Sequence, residues 1–253
     1  MDQCPNEFVS FANRLADAAG EIHRHYFRQP LETELKPDAS PVTRVDKETE
    51  VVLRELIEQV YPGHGIAGEE FPAVREDADY VWVLDPLDGT KSFLAGMPVF
   101  GVLIGLAHHG RFVLGVIDQP ILRDRWVGAD GYGTTLNGTL VHTRRCSRLA
   151  DAVVFLGKPY DVKIARLCEE VKWARYGGDC YGYGLLASGF VDVVVDVDLD
   201  VHDFGALEPV VRNAGGAIGD WMGRPLAIGS NGEVIAAGDA RLLERIVARF
   251  NES

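Results

Sequence analysis

Residues Tyr80-Val81-Trp82-Val83-Leu84-Asp85-Pro86-Leu87-Asp88-Gly89-Thr90 are the most informative stretch of the chain. Tyr80 to Leu84 is β-prone, and the run stops at Asp85-Pro86, where proline lacks the backbone donor that continued sheet pairing needs. The reading is a strand that delivers an acidic turn. Two carboxylates three apart on a rigid turn can converge on one point, and the Leu87 carbonyl and Thr90 hydroxyl bring neutral oxygens beside them. Hard cations such as magnesium require that kind of all-oxygen set. Alone, the string also describes an ordinary Asp-rich turn in which Asp88 caps a helix starting at Gly89.

Working outward, Gly68-Glu69-Glu70 lies fifteen residues upstream, after apolar Ile66-Ala67. Its adjacent acids point in different directions, so one of them can reach the same ion; as an isolated pair they equally describe a solvated loop. Downstream, Asp203 opens a predicted helix whose buried face is Phe204, Leu207, Val210 and Val211. Asp is a favoured N-cap, and helix N-termini also favour anions, so Asp203 suits either a cap or a phosphate and metal pocket. The combination of the three motifs carries more than any one of them.

Elsewhere, Phe8, Phe11, Ala12, Leu15, Ala18, Ala19, Ile22 and Tyr26 recur at intervals of three and four, the stripe of a first helix ending near Gln29-Pro30. Leu31 to Arg44 reads as a loop or loose hairpin before a second helix over 46–60, with Asp46 as N-cap. β-prone segments at Val99 to Ala107, Phe112 to Ile117 and Arg125 to Gly128 predict an antiparallel-rich sheet. Alternation follows: a strand at 152–156, a helix near 161–173, a glycine turn at Gly177-Gly178 and a short helix over 183–187. A strand over 191–201 then sets Asp192, Asp196, Asp198 and Asp200 on one face. Helices over 203–213, ending at Gly215-Gly216, and around Leu242 to Phe250 close the chain.

At 253 residues, with 47% hydrophobic and 25% charged residues, the composition is that of an ordinary globular protein. The net charge of −13 argues against nucleic acid, whose phosphates need clustered Lys and Arg. An acidic chain can still take an anionic substrate if divalent cations stand between them. Cys4, Cys146, Cys168 and Cys180 lie far apart, signalling neither a zinc site nor a disulfide framework. With no secretory pattern and no apolar run long enough for a membrane, the expectation is a cytoplasmic protein.

Gly68-Glu69-Glu70, Asp85-Pro86-Leu87-Asp88-Gly89-Thr90, and Asp203 ahead of Gly215-Gly216, in that order and spacing, resemble the inositol monophosphatase superfamily over nearly the whole chain. The resemblance implies an α/β (α+β) layered α/β/α/β/α sandwich of the inositol monophosphatase and fructose-bisphosphatase type. It implies a single phosphatase domain over 1–253, with subdomains of about 1–145 and 146–253, and frequent homodimers. It further implies two or three Mg2+ ions, with Glu69, Asp85, the Leu87 carbonyl, Asp88 and Asp203 as ligands. Glu69 and Thr90 would orient the attacking water, and Asp46 would help to hold it. Asp88, Gly89, Thr90, Asp179, Asp196, Arg175, Gly178 and Lys36 would meet the substrate, a small phosphate monoester.

A narrower resemblance, to the histidinol-phosphate phosphatase branch, rests on Lys91-Ser92-Phe93, Pro98-Val99-Phe100 and above all Tyr176-Gly177-Gly178-Asp179-Cys180-Tyr181-Gly182-Tyr183-Gly184. His202 departs from it, standing where that branch has an aromatic residue. Histidinol phosphate carries an ammonium and an imidazole, so its pocket needs anions and acceptors, a need that Asp179 and Asp196 would meet. An inositol or sugar monophosphatase, and a regulatory protein that binds metal and phosphate without catalysis, are the alternatives.

Overall fold

A computed structural model describes residues 3–37, 40–158, 161–227 and 229–252. The first helix, α1 (Asn6–Tyr26), has the predicted stripe on its buried face. The stretch 31–44, of which residues 38 and 39 lie outside the described residues, contains an antiparallel pair, β1 (Thr33–Leu35) and β2 (Pro41–Thr43). Helix α2 (Arg44–Val60) starts two residues earlier than expected. Its N-cap is Thr43, and Asp46 is the third helical residue, closing a capping box on the Thr43 backbone N–H.

A seven-stranded sheet follows in chain order: β3 (Gly65–Gly68), β4 (Tyr80–Asp88), β5 (Gly101–His108), β6 (Arg111–Gln119), β7 (Asp124–Ala129), β8 (Gly133–Leu136) and β9 (Thr139–Val141). Only β3 and β4 pair in parallel. The short helix α3 (Thr90–Leu94) sits between β4 and β5. β4 runs on through Asp85-Pro86 rather than stopping there. Asp85 pairs Leu103 and Asp88 pairs Gly101, so three steps on β4 match two on β5. The extra residue is a bulge, accommodating Pro86, which has no N–H to donate.

The second sheet has the order β11-β10-β12-β14-β13, built from β10 (Val153–Leu156), β11 (Trp173–Tyr176), β12 (Val193–Asp196), β13 (Ala217–Gly219) and β14 (Val234–Ala237). Between these strands run α4 (Val162–Glu170), α5 (Asp179–Ala187) and α6 (Val201–Asn213), with α7 (Ala240–Asn251) last. Two expectations are corrected here. Trp173 belongs to a strand, not to the preceding helix. The strand expected over 191–201 keeps only four residues, because Asp198 takes a left-handed backbone (φ 59°) and Val201 already begins α6.

The layers follow from which faces are apolar. α1 and α2 cover one face of the large sheet over Phe11, Leu15, Leu53, Trp82, Ile104 and Leu114. α4 and α7 cover the outer face of the small sheet over Ile164, Leu167, Leu242 and Ile246. A central core of Val83, Leu103, Tyr183, Val194, Phe204 and Val210 fills the space between the sheets around α5 and α6. The chain is therefore layered α/β/α/β/α. No helix among the described residues is long and apolar enough to cross a membrane.

Glycine seats α6 on the large sheet. Gly105, Gly115 and Gly128 are cross-strand neighbours on β5, β6 and β7. A Cβ on each would stand 2.8 Å from the Gly205 oxygen, 2.1 Å from the Ala206 oxygen and 2.5 Å from the Pro209 oxygen. Side chains there would lift the helix, and with it the acid in its first turn.

Candidate active site

Three carboxylates, one each from Asp85, Asp88 and Asp203, offer oxygens that all lie within 4.8 Å of one another. Asp85 and Asp88 come from the two sides of the β4 bulge. Without it, an offset of three would point them to opposite faces of the sheet. Asp203 comes from the first turn of α6, where it is the third helical residue. Of the two readings open for Asp203, cap or pocket, the cap falls to Asp200, and Asp203 Oδ2 accepts the Asp200 N–H at 2.7 Å.

The bulge is held from several sides. Asp85 Oδ1 accepts the Leu87 N–H at 2.9 Å, and Asp88 Oδ2 accepts the Cys180 N–H at 2.7 Å. His23, fully buried on α1, lies with Nε2 2.9 Å from the Pro86 carbonyl oxygen, so that nitrogen donates. Burial drives the His23 pKa down to about 4, which keeps the imidazole neutral.

None of the three carboxylates has a Lys or Arg partner among the described residues. Desolvation and the mutual charges of Glu69, Asp203 and Asp88 push Asp85 well above the carboxylate range. Asp88 is raised likewise, by burial and then by Asp179 and Asp203, and Asp203 rises to about 6, chiefly by burial. Carboxylates packed this closely, away from water and without a countercharge, resist ionising together. A hard divalent cation is the countercharge that an all-oxygen set of this kind fits.

Around this cluster the predicted residues are gathered unevenly. Glu69 follows β3, whose last residue pairs Leu84 on β4, so it extends beside Asp85. Lys36 Nζ lies 2.6 Å from both Glu69 and Glu70, joining the β1–β2 segment to this edge. The Thr90 hydroxyl stands 3.1 Å from Asp46 Oδ1 and 3.1 Å from the Leu87 oxygen. Asp46 Oδ2 takes the Thr43 hydroxyl and N–H at 2.7 and 2.9 Å. Gly89 (φ 76°) lies against Asp179, whose carboxylate a Cβ at Gly89 would meet at 2.8 Å.

A cavity of about 300 Å³ opens beside the cluster, with Asp88, Asp179, Asp196, Asp198 and Asp203 in its wall and Lys91 and Lys158 facing them. Tyr183 donates to Asp196 Oδ2 at 2.8 Å, and enclosure raises Asp196 to about 7. Gly157 makes room for that carboxylate, since a Cβ there would overlap Asp196 Oδ1 at 1.5 Å. Arg175 and Gly178 do not line the cavity. The Arg175 guanidinium lies over the Phe155 ring, 5.9 Å from its centroid, and Gly178 (φ 127°) packs against the same ring.

Sequence reasoning missed Glu50, Lys91, Tyr183, Lys158 and Asp198. Glu50 is fully buried and accepts the Glu70 N–H at 2.7 Å while pairing with Arg54, which fixes the Glu69-Glu70 turn. Its signal was present: Asp46, Glu50, Leu53 and Ile57 share one helix face, so two acids stand on an apolar stripe. Tyr183, Lys158 and Asp198 carry no local signal, because two separate loops and a helix bring them together. His202 sits half-buried in the first turn of α6 beside Asp203, with Nδ1 unpartnered.

The sequence profile of the inositol monophosphatase family matches residues 5–253. The bifunctional phosphatase IMPL2, chloroplastic, of Arabidopsis thaliana is 45% identical over 250 residues, covering 93% of this chain and 72% of that protein. A histidinol-phosphatase of Chlorobaculum parvum is 36% identical, covering 90% of this chain and 91% of its own. The solved structure of an inositol monophosphatase from Zymomonas mobilis superposes with a TM-score of 0.90 at 43% identity, over 98% of each chain.

Proposed function

This chain belongs to the inositol monophosphatase family, and from that premise we propose that it is a magnesium-dependent phosphomonoesterase that converts L-histidinol phosphate to L-histidinol and phosphate. The observation that carries the substrate is the acidic cavity beside the carboxylate cluster, with Asp179, Asp196 and Asp198 in its wall. Such a wall suits a leaving group that bears an ammonium and an imidazole, since it pairs their charge as well as accepting their hydrogen bonds, whereas a polyol gains only the hydrogen bonds. The name of the Chlorobaculum parvum relative supports the same substrate.

In this reading Asp85, Asp88, Asp203, Glu69 and the Leu87 carbonyl hold the magnesium. The bound metal would lower the pKa of water and neutralise charge on the phosphate and the departing alkoxide. The Thr90 hydroxyl donates toward Asp46 or the Leu87 oxygen, which leaves its lone pairs free to accept a hydrogen bond from the attacking water. Glu69 fixes that water from the other side, and Lys36 closes the β1–β2 segment over Glu69 and Glu70. The Gly89 backbone approaches the phosphate without a side chain in the way. Asp179 and Asp196 receive the cationic end of the leaving group.

Glu69→Gln and Asp88→Asn test this assignment. Each is expected to lower kcat by about a thousandfold or more while the far-ultraviolet circular dichroism stays that of the wild type. Activity within about tenfold of wild type contradicts it. Hydrolysis of myo-inositol 1-phosphate is the second reading, favoured by the 43% identity to the Zymomonas mobilis enzyme. Asp179→Ala separates the two, since it impairs a cationic substrate far more than a polyol ester.

A further inference from the structure

Lys158 and Asp198 form an ion pair at the cavity, Nζ to Oδ2 2.5 Å, joining the loop after β10 to the loop after β12. Both residues line the active-site cavity, and both also line an adjoining cleft with Asp161, Trp221, Asn231 and Glu233. The pair is thus the partition between the two spaces. It is open to solvent, with the side chains 51% and 75% exposed, so it is an exchangeable contact rather than a structural clamp.

The backbone is nonetheless built to present it. Asp198 is held at φ 59°, a left-handed conformation that Asp adopts more readily than most residues that bear a side chain. The next residue is pinned: the Leu199 N–H donates to the Gly232 oxygen at 3.1 Å, and a Cβ on Gly232 would meet the Leu199 oxygen at 2.5 Å. This fixed turn stands at the lip of the cavity. Its effect here is to set an acid against Lys158. The Lys158 charge also reaches Asp196 further along the same wall, where it opposes the upward shift of that carboxyl.

We propose that Lys158 is a specificity-determining residue, an internal ammonium that Asp198 holds in the place a substrate's own ammonium takes. A phosphate ester bearing an amine displaces Lys158 into solvent and inherits Asp198, an exchange of one cation for another that leaves the cavity's charge unaltered. An ester without a cation leaves Lys158 in place, and the space beside it stays narrow. The inference rests on the active-site reading above and adds to it the group that sorts leaving groups by charge.

The test is KM and kcat for L-histidinol phosphate and myo-inositol 1-phosphate in the wild type, Lys158→Met and Asp198→Asn. Lys158→Met removes the competing cation but keeps the stem. It is expected to raise the ratio of the inositol-ester KM to the histidinol-ester KM about three- to fivefold, with the effect in KM rather than kcat. Asp198→Asn is expected to lower the same ratio by about as much. A ratio that Lys158→Met leaves alone or lowers overturns the inference. Calorimetric titration with L-histidinol needs no turnover and separates the two claims. Tighter binding to Lys158→Met than to wild type supports the internal cation even if neither ester is hydrolysed, and equal or weaker binding refutes it.

Discussion

A Cβ on Gly115 would stand 2.1 Å from the carbonyl oxygen of Ala206, so β6 and α6 meet backbone to backbone. Neither partner is the tip of a flexible side chain, and neither can turn aside. Gly115→Ala is expected to destabilise the fold by about 1 to 3 kcal/mol, the usual cost of overpacking. Because α6 also carries Asp203, the variant should need more magnesium for half-maximal activity. Urea unfolding and a magnesium titration of activity check both; an unchanged magnesium requirement would mean that the glycine seat does not position Asp203.

Magnesium and stability are linked through the carboxylate cluster. An ion that binds only the folded chain stabilises it by about 2.7 kcal/mol at a hundred times its Kd. Asp203→Asn removes one of three crowded acids and keeps an oxygen for the Asp200 N–H. Its melting temperature is expected to exceed that of wild type in chelator and to fall below it in saturating magnesium. A scan in which the two proteins keep the same order in both buffers refutes a cation-binding cluster.

His23 sets a pH dependence of known sign. Its folded pKa, about 4, lies below the ordinary value of 6.5, because burial among Phe93 and Phe100 opposes its charge and Arg24 adds to that effect. Above pH 6.5 the ring is neutral in both states. As pH falls toward 4 the unfolded chain takes up the proton first, and stability is lost at about 1.4 kcal/mol per pH unit. His23→Gln keeps a donor for the Pro86 carbonyl without the titration. The stability of wild type relative to this variant should fall by about 2 kcal/mol between pH 7 and pH 5 in urea melts. A difference that does not change with pH contradicts the assignment.

Much of the architecture was legible because it rests on local pattern. The α1 stripe, the β4 run into Asp85-Pro86 and the antiparallel middle region all declare themselves by periodicity and turn residues. What was not legible depends on distant parts of the chain. The expectation of a strand from 191 to 201 failed because alternating Val and Asp satisfy period two whether or not neighbours pair with them. Here β12 has partners only as far as Asp196, where β14 begins. Asp46 was expected to be an N-cap, and a cap was one of two readings of Asp203; both are third residues reaching back to a cap, a distinction set by one hydrogen bond. Gly105, Gly115 and Gly128 carry no sequence signal of their own, and only sheet register lines them up under α6. Arg175, which the resemblance sets at the substrate, covers Phe155, a residue of the cavity lining.

The Thr90 hydroxyl gives a prediction that a purely structural role would not reproduce. Thr90→Val keeps the shape and loses the hydroxyl shared with Asp46 and the Leu87 oxygen. The expected result is a kcat lower by about a hundredfold or more at a KM within about threefold of wild type, with Thr90→Ser recovering most of the rate. A Thr90→Val enzyme that loses affinity but not turnover would place the hydroxyl on the substrate rather than on the attacking water.

The central claim is most directly tested by phosphate release from L-histidinol phosphate and myo-inositol 1-phosphate at equal concentration, each with magnesium and with chelator. The account predicts release only with magnesium, and a preference for histidinol phosphate of about a hundredfold, roughly 2.7 kcal/mol of transition-state discrimination. Equal or faster release from the inositol ester would contradict the substrate, and undiminished release in chelator would contradict the metal site itself.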